Sequence, residues 1–225
     1  MLDLLSLQKF FILNHLGPGD VAVDFTMGNG HDTEFLVKTV GESGHVYAFD
    51  IQADAVASTA AHLKACELPE NYTLIHDSHH NAAKYIPTPF KAGMFNLGWL
   101  PGGNKAITTL RETTLPALET AISLMDKDAV LTVAVYPGHE EGTLEGIAVE
   151  EYFASLSRFK VCCTKIKIVN SPTSPFVFVL ETKSGTNSHD SAIKEPPGRI
   201  CILTAPVPPA AAGCATQATD NTQNA

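Results

Sequence analysis

The sequence predicts an α/β fold built on a doubly wound sheet of seven strands, mostly parallel, with an antiparallel pair of strands at its end. Short apolar segments alternate with longer helix-like segments, and parallel strands need such crossovers. The last two apolar segments are joined only by a short loop with two prolines, which indicates an antiparallel pair. The chain has 225 residues, 44% of them hydrophobic, which is enough for one sizeable core.

The individual elements follow from apolar runs and the turn residues between them. An amphipathic helix is predicted within residues 1–13, because Asp3 stands where a signal peptide would be basic and no cleavage site follows. Strands are predicted at 21–24, 45–50, 72–76, 92–97, 129–136, 159–169 and 176–180. Helices are predicted at 32–40, 54–66, 116–125 and 144–156. Gly41 ends the first of these four helices, and Pro116 is expected in the first turn of the third.

Composition divides the chain into a folded domain, residues 1–181, and a tail, residues 182–225. The tail is rich in Pro, Gly, Ala, Ser, Thr and Asn and has no aromatic residue, which predicts a disordered low-complexity segment. No apolar run is long enough to span a bilayer. The five cysteines are odd in number and form no C-x-x-C pair. We therefore expect no disulfide framework, no cysteine zinc site and a cytoplasmic location.

The charge of the chain gives no support to nonspecific nucleic-acid binding. Fifteen basic and 24 acidic residues give a formal net charge of −9, whereas a polyanion is bound through Lys and Arg. A local basic face remains open, and its candidates are Lys84, Lys91, Lys105, Arg111, Arg158, Lys160, Lys165 and Lys167.

The most informative segment lies at the end of the first predicted strand. Asp24 closes the strand, the turn Gly28-Asn29-Gly30 follows, and a helix begins at Asp32. Glycine lets a backbone approach a ligand closely, and a helix N-terminus favours anionic groups. This pattern predicts a nucleotide-type site of a Rossmann-like sheet. Thr33 stands where a dinucleotide fingerprint has its third glycine, which argues against NAD; a glycine turn required only for tight packing is the alternative.

Two further strand ends carry polar residues that suit the same ligand. Asp50 closes the second strand and can accept hydrogen bonds from both hydroxyl groups of a ribose. Gln52, two residues on, could contact the adenine or the ribose. After the third strand, Asp77 and Ser78 can hold an adenine amino group and its ring nitrogens. A solvated turn and a polar loop are the alternatives. The loop also contains three histidines, which are possible metal ligands: His76, His79 and His80. No complementary ligand cluster is evident in the sequence, so no metal is predicted.

At the fourth and fifth strand ends we expect the acceptor site. The side-chain oxygen of Asn96 and the carbonyl of Leu97 can accept hydrogen bonds from an amine and orient its lone pair, and Trp99 can stack on a base. Lys105 lies in a flexible glycine loop that could act as a lid. The predicted catalytic residues are Asn96, Tyr136 and His139, and the predicted substrate-binding residues are Leu97, Trp99 and Lys105. The alternatives are that Asn96 caps a turn, that Trp99 belongs to the core and that His139 is a turn residue.

Five motifs occur in an order that resembles a known family. They are Asp24-x-Thr-Met-Gly-Asn-Gly-His-Asp32, Phe49-Asp-Ile-Gln52, His76-Asp-Ser-His79, Phe95-Asn-Leu-Gly-Trp-Leu-Pro-Gly-Gly103 and Val135-Tyr-Pro-Gly-His139. The first resembles motif I of class I S-adenosylmethionine-dependent methyltransferases. Together they resemble the bacterial family described as putative rRNA methylases, whose members are associated with tRNA 5-aminomethyl-2-thiouridine methyltransferase activity.

This resemblance implies S-adenosylmethionine as the cofactor. It implies a pocket lined by Gly28, Asn29, Gly30, Asp32, Asp50, Gln52, Ser78 and His79, and it places Asp32 near the methionine ammonium. The predicted activity is N-methylation of the aminomethyl group of wobble 5-aminomethyl-2-thiouridine in tRNA, with the anticodon stem-loop as partner. The alternatives are methylation of rRNA or a small molecule, an NAD-dependent oxidoreductase, and a non-catalytic cofactor-binding subunit. No membrane partner is expected, and a homodimer is left open.

Overall fold

The computed structural model describes residues 3–171 and 173–183. The strands are β1 (Val21–Asp24), β2 (His45–Asp50), β3 (Tyr72–His76), β4 (Phe90–Leu97), β5 (Met125–Val135), β6 (Val161–Lys167) and β7 (Phe176–Thr182). The helices are α1 (Leu4–Leu13), α2 (His31–Val40), α3 (Ala53–Ala65), α4 (Arg111–Leu124) and α5 (Glu140–Ser155), with a 3-10 helix at His79–Lys84. Nearly all of the tail predicted at 182–225 lies outside the described residues, so the predicted domain boundary stays a prediction.

The seven strands form one sheet in the order β3-β2-β1-β4-β5-β7-β6. Strands β1 to β5 pair in parallel, whereas β7 is antiparallel to both β5 and β6. The predicted fold class is therefore confirmed. The chain runs outward from β1 to β3 and then returns to β4 on the other side of β1, and ligands of such sheets bind at this reversal, beyond the carboxyl ends of the strands.

The strands are apolar and buried on both faces, because helices cover both sides of the sheet. Helices α4 and α5 cover one face together with the 3-10 helix, and α1 and α2 cover the other. Phe25, directly after β1, stacks on Phe95 of β4 with 4.2 Å between ring centroids. Both rings are at most 1% exposed. This stacked pair fixes the ends of β1 and β4 relative to each other beneath the site.

The structure differs from the sequence predictions at two points in α4 and its surroundings. The helix begins at Arg111, so Pro116 lies in its interior and not in its first turn. Proline has no N–H for the carbonyl of Glu112. Because Glu112 and Pro116 are both exposed, that carbonyl lies on the solvent side. The 3-10 helix after β3 was not predicted, since the loop offered only polar residues. No helix among the described residues is long and apolar enough to cross a membrane.

Gly93 in the middle of β4 provides a test of the packing beneath the site. A Cβ atom there would lie 2.7 Å from Leu131 Cδ1 and 3.0 Å from Phe90 Cε2, both in the core. Overpacking of this kind typically costs about 1–3 kcal/mol, so we expect Gly93→Ala to lower the free energy of unfolding by that amount in urea. Gly138→Ala is the control, because no atom approaches a Cβ within 4 Å there. Equal stability of the two variants would contradict the packing argument.

Candidate active site

A cavity of about 460 Å³ opens beyond the carboxyl ends of β1, β2 and β4. It brings together nine of the residues predicted from the sequence to form the cofactor and acceptor sites. These are Gly28, Asp50, Gln52, Ser78, His79, Asn96, Leu97, Trp99 and Tyr136. The remaining predicted residues do not line its wall: Asp24, Asn29, Gly30, Asp32, Asp77, Lys105 and His139.

Asp50 connects the glycine turn to the start of α3. Its Oδ2 accepts a hydrogen bond from the Gly28 N–H at 3.1 Å, and its Oδ1 accepts one from the Gln52 N–H at 2.9 Å. Burial raises the pKa of Asp50 above its usual value, although these backbone donors oppose the rise. The carboxylate is therefore held in place at the cavity wall, where its remaining lone pairs can accept hydrogen bonds from hydroxyl groups of a ligand.

The two glycines of the turn serve different purposes. Both have left-handed backbones, with φ of 51° at Gly28 and 85° at Gly30. A Cβ at Gly30 would lie 3.1 Å from the Cα of Thr59 in α3, whereas the nearest atom at Gly28 is Leu100 Cδ1 at 3.5 Å. The tight-packing alternative thus describes Gly30, and Gly28 is the glycine that leaves backbone exposed to the cavity.

Asp24 supports the turn from beneath and is completely buried. Its Oδ2 accepts a hydrogen bond from Thr33 Oγ1 at 2.7 Å, and its Oδ1 accepts one from the Thr26 N–H at 3.1 Å. Desolvation, together with the charge of Asp32, raises the pKa of Asp24 to about 7 despite the bond from Thr33. Thr33, which interrupts the dinucleotide fingerprint, therefore provides the hydroxyl that this buried acid needs.

Asn96 is held by two hydrogen bonds that leave its acceptor free. Its backbone N–H donates to Thr26 Oγ1 at 2.8 Å, and its Nδ2 donates to Asp32 Oδ2 at 2.8 Å. Because Nδ2 must face Asp32, the orientation of the amide is determined, and Oδ1 is buried with no partner among the described residues. The other oxygen of Asp32 is paired with Lys9 Nζ of α1 at 3.1 Å. Sequence analysis missed both Thr26 and Lys9, whose contacts join distant parts of the chain.

The loop after β3 presents His79 and Ser78 to the cavity but turns Asp77 away from it. Asp77 accepts hydrogen bonds from Tyr85 Oη at 2.8 Å and from Asn81 Nδ2 at 3.0 Å. His79 Nδ1 donates to the Phe25 carbonyl at 3.1 Å, and burial lowers the pKa of His79 to about 4. The ring is therefore neutral, and its buried Nε2 is an acceptor with no partner in the described structure.

Trp99, His139 and Lys105 form an aromatic and cationic group beside the cavity. The rings of Trp99 and His139 have centroids 4.7 Å apart, and Lys105 Nζ lies 5.5 Å from the Trp99 ring. His139 caps α5, since its Nδ1 accepts the Gly142 N–H at 3.1 Å. This capping bond requires the tautomer that carries its hydrogen on Nε2. Burial raises the pKa of Tyr136, which keeps its phenol protonated.

The loop between β4 and α4 covers the cavity and is tied down by a buried acid that the sequence analysis missed. Glu145 of α5 is 1% exposed. Its two carboxylate oxygens accept hydrogen bonds from Thr109 Oγ1 at 2.8 Å and Thr114 Oγ1 at 2.7 Å. Thr109 itself lines the cavity. Glu145 stands in a helix with no motif around it, so only the folded structure reveals this role.

Comparison with known proteins identifies a family. The family model described as putative rRNA methylase matches residues 46–181.

The chain belongs to the putative rRNA methylase family.

The family predicted from the five motifs is thereby confirmed, and with it the class of S-adenosylmethionine-dependent methyltransferases. A crystal structure of a putative rRNA methylase from Clostridium thermocellum is 38% identical, covering 81% of this chain and 98% of that one, with a TM-score of 0.79. A putative methyltransferase from Streptococcus mutans, solved with S-adenosylhomocysteine (SAH), is 30% identical with a TM-score of 0.74 and coverages of 81% and 99%.

A relative in Arabidopsis thaliana is a chloroplastic protein named as tRNA (mnm5s2U34)-methyltransferase. It is 36% identical in an alignment of 177 residues that covers 74% of this chain. The chain spans 65% of that relative's length.

The raised pKa of Asp24 makes a prediction about stability. Between about pH 4, where an unfolded Asp loses its proton, and pH 7, the folded protein retains that proton. Stability therefore falls as the pH rises through this window, by up to about 1.4 kcal/mol per pH unit for one group. We expect Asp24→Asn, which has no proton to lose, to gain stability relative to the wild type over that range, as measured by urea unfolding at a series of pH values.

The test is the difference in unfolding free energy between wild type and Asp24→Asn at each pH, because every other titrating group is common to both proteins. Parallel curves of unfolding free energy against pH would contradict a raised pKa for Asp24.

Proposed function

We propose that the chain methylates an amine on tRNA with S-adenosylmethionine as donor: the aminomethyl group of wobble 5-aminomethyl-2-thiouridine. The observation that carries the proposal is the buried, unpartnered Oδ1 of Asn96 at the end of β4. A fixed acceptor suits an N–H of an amine substrate. The name of the Arabidopsis relative supports the same substrate.

The residues around the cavity fit the donor. An adenosyl group requires a ribose acceptor and polar contacts for a base, and the cavity wall carries the Asp50 carboxylate, Gln52, Ser78 and the unpartnered Nε2 of His79. The methionine ammonium requires an anion, and Asp32 already holds a cation, Lys9 Nζ, at 3.1 Å. Gly28 of the glycine turn lines this wall, and its lack of a Cβ atom allows close backbone approach there.

Each residue around the cavity then has a distinct task. Asp50 accepts the ribose hydroxyls, while Gln52, Ser78 and His79 contact the adenine side. Asp32 binds the methionine ammonium in place of Lys9. Asp24, Asn29, Gly30 and Asp77 act indirectly, by shaping the turn and the loop that carry these groups. S-adenosylmethionine supplies a methyl group on a sulfonium centre, which needs a neutral nucleophile and no metal.

On the acceptor side, Asn96 Oδ1 and the Leu97 carbonyl accept hydrogens of the neutral amine and direct its lone pair. Trp99 stacks on the uracil base, and such a contact contributes about 1–3 kcal/mol. Tyr136 bounds the same pocket, and His139 positions Trp99 through their ring contact. Holding nitrogen and methyl carbon in line supplies most of the rate. The substrate amine is an aliphatic ammonium that loses its proton to water before it binds, so no side chain is required as a base.

The tRNA contact is proposed to centre on Lys105, which lies beside Trp99. Three other candidates for a basic face are neutralised by carboxylates: Lys91 by Asp126, Arg111 by Glu141 and Lys165 by Glu150. The proposed partner is therefore a short structured element, an anticodon stem-loop, read by shape and stacking. The proposed compartment is the cytoplasm, on the cysteine composition alone.

Calorimetry with S-adenosylmethionine tests the donor site. We expect micromolar binding, about −8 kcal/mol. In Asp50→Ala the ribose loses hydrogen bonds to a charged group, each worth about 1.5–3 kcal/mol, so affinity is expected to fall by at least about 100-fold. Asp54→Ala is the control, since Asp54 is exposed on α3 away from the cavity. Wild-type affinity in Asp50→Ala, with S-adenosylmethionine bound, would remove Asp50 from the site.

Asn96→Ala tests the acceptor site separately. We expect the rate of methyl transfer to a tRNA carrying 5-aminomethyl-2-thiouridine to fall about 100-fold, because the amine is no longer oriented. Affinity for S-adenosylmethionine should change only a few-fold. Asn14→Ala, at the exposed end of α1, is the control. A large loss of cofactor affinity with the rate at saturation unchanged would reverse the assignment.

Nucleoside mass spectrometry of tRNA from a deletion strain tests the substrate. We expect 5-aminomethyl-2-thiouridine to accumulate and its N-methylated product to disappear, with recovery on complementation by the wild type and not by Asn96→Ala. Unchanged tRNA with a methyl group missing from rRNA would favour the rRNA alternative.

A further inference from the structure

A second cluster of chemically active side chains lies on α2 and α3, outside the cavity wall. His31 and Glu34 are three residues apart on α2 and so share a face of the helix, and His62 faces them from α3. The His31 and His62 rings have centroids 4.7 Å apart. His62 Nε2 lies 2.7 Å from Glu34 Oε2. One ligand atom from each of the three residues lies within 4.8 Å of the others.

We propose that His31, Glu34 and His62 form a binding site for a divalent transition-metal ion such as Zn²⁺. Two imidazoles and one carboxylate are a donor set that zinc uses in proteins. Ligand atoms at roughly 2.0–2.2 Å from a tetrahedral ion lie about 3.3 Å apart, so small side-chain rotations close the observed group around an ion. His31 is exposed and the other two are half-buried, so water can reach the ion and complete its coordination.

The surroundings of Glu34 prepare it to act as a ligand. Its Oε1 is paired with Lys38 one turn along α2, which orients the carboxylate and leaves Oε2 facing His62. Supporting hydrogen bonds of this kind position ligands in established metal sites.

The packing of the two helices explains why the cluster is rigid enough to bind an ion. Gly30, directly before His31, packs so closely against Thr59 of α3 that a Cβ atom at Gly30 would crowd it. Thr59 Oγ1 donates a hydrogen bond to the Gly28 carbonyl at 3.0 Å. The first turn of α2 is thereby held close to α3. An ion bound across the two helices would reinforce this contact next to the glycine turn.

Isothermal titration calorimetry of the untagged full chain with ZnCl₂ tests the site, with MgCl₂ as a hard-cation comparison. We expect one Zn²⁺ per chain with a micromolar dissociation constant, a rise in unfolding temperature with Zn²⁺, and no binding of Mg²⁺. His62→Gln and Glu34→Gln are each expected to weaken Zn²⁺ binding roughly 100-fold, the upper end of what even a supporting contact costs a metal site.

Two control variants make the assignment specific. His45→Gln removes a partly exposed histidine of β2 that bonds Thr73 and should bind Zn²⁺ like the wild type. Cys66→Ser should also retain binding, although Cys66 Sγ lies 3.9 Å from His62 Nε2. Binding that survives in His62→Gln and Glu34→Gln, or that is lost in Cys66→Ser alone, would overturn the three-ligand site. These readouts do not involve methylation, so they stand or fall apart from the proposed function.

Discussion

The buried carboxylate of Asp24 is the constraint on which the site depends. It lies at the end of β1 without solvent and satisfies its oxygens with the Thr26 N–H and the Thr33 hydroxyl. Through Thr26, whose hydroxyl accepts the Asn96 N–H, the same arrangement reaches β4. One desolvated acid thus connects the first strand, the glycine turn, helix α2 and the strand that carries the acceptor oxygen. Its raised pKa reflects the desolvation of the charged form, so the folded protein holds this acid protonated up to about pH 7.

The sequence was sufficient for the features that local chemistry controls. Strands β1, β2 and β3 have the predicted bounds because a turn residue or an acid marks each end, and their alternation with helices predicted the parallel part of the sheet. Asp50 and Asn96 were identifiable because polar residues that end buried strands meet at one edge of a parallel sheet. The family motifs then singled out these strand ends from ordinary turns.

The remainder could not be predicted because it depends on contacts between distant segments. Lys9 is one basic residue in an amphipathic helix until the fold brings it to Asp32. Glu145 is one acid among several on α5, and only burial against Thr109 and Thr114 distinguishes it. The start of α4 differs from the prediction for a related reason: proline is typical of a first helical turn, whereas Pro116 lies inside the helix on its solvent-facing side. For His139 the sequence left a catalytic role and a turn histidine open, and the fold adds a capping bond to α5 that no local pattern indicates.

The first turn of α2 carries two sets of charges that point in different directions. Asp32 faces Asn96 and Lys9, while His31 and Glu34 face His62 of α3. Successive residues of a helix are rotated by about 100°, so neither set can reach the partners of the other. A rotation of the helix would move both sets of side chains. Lys9 can leave Asp32 when another cation arrives, because their pairing is partly exposed and therefore weak. The packing of Gly30 against Thr59 holds the first turn of α2 close to α3. In the proposed function, the Asn96 amide, which donates to Asp32 Oδ2, would therefore keep its orientation when the methionine ammonium replaces Lys9.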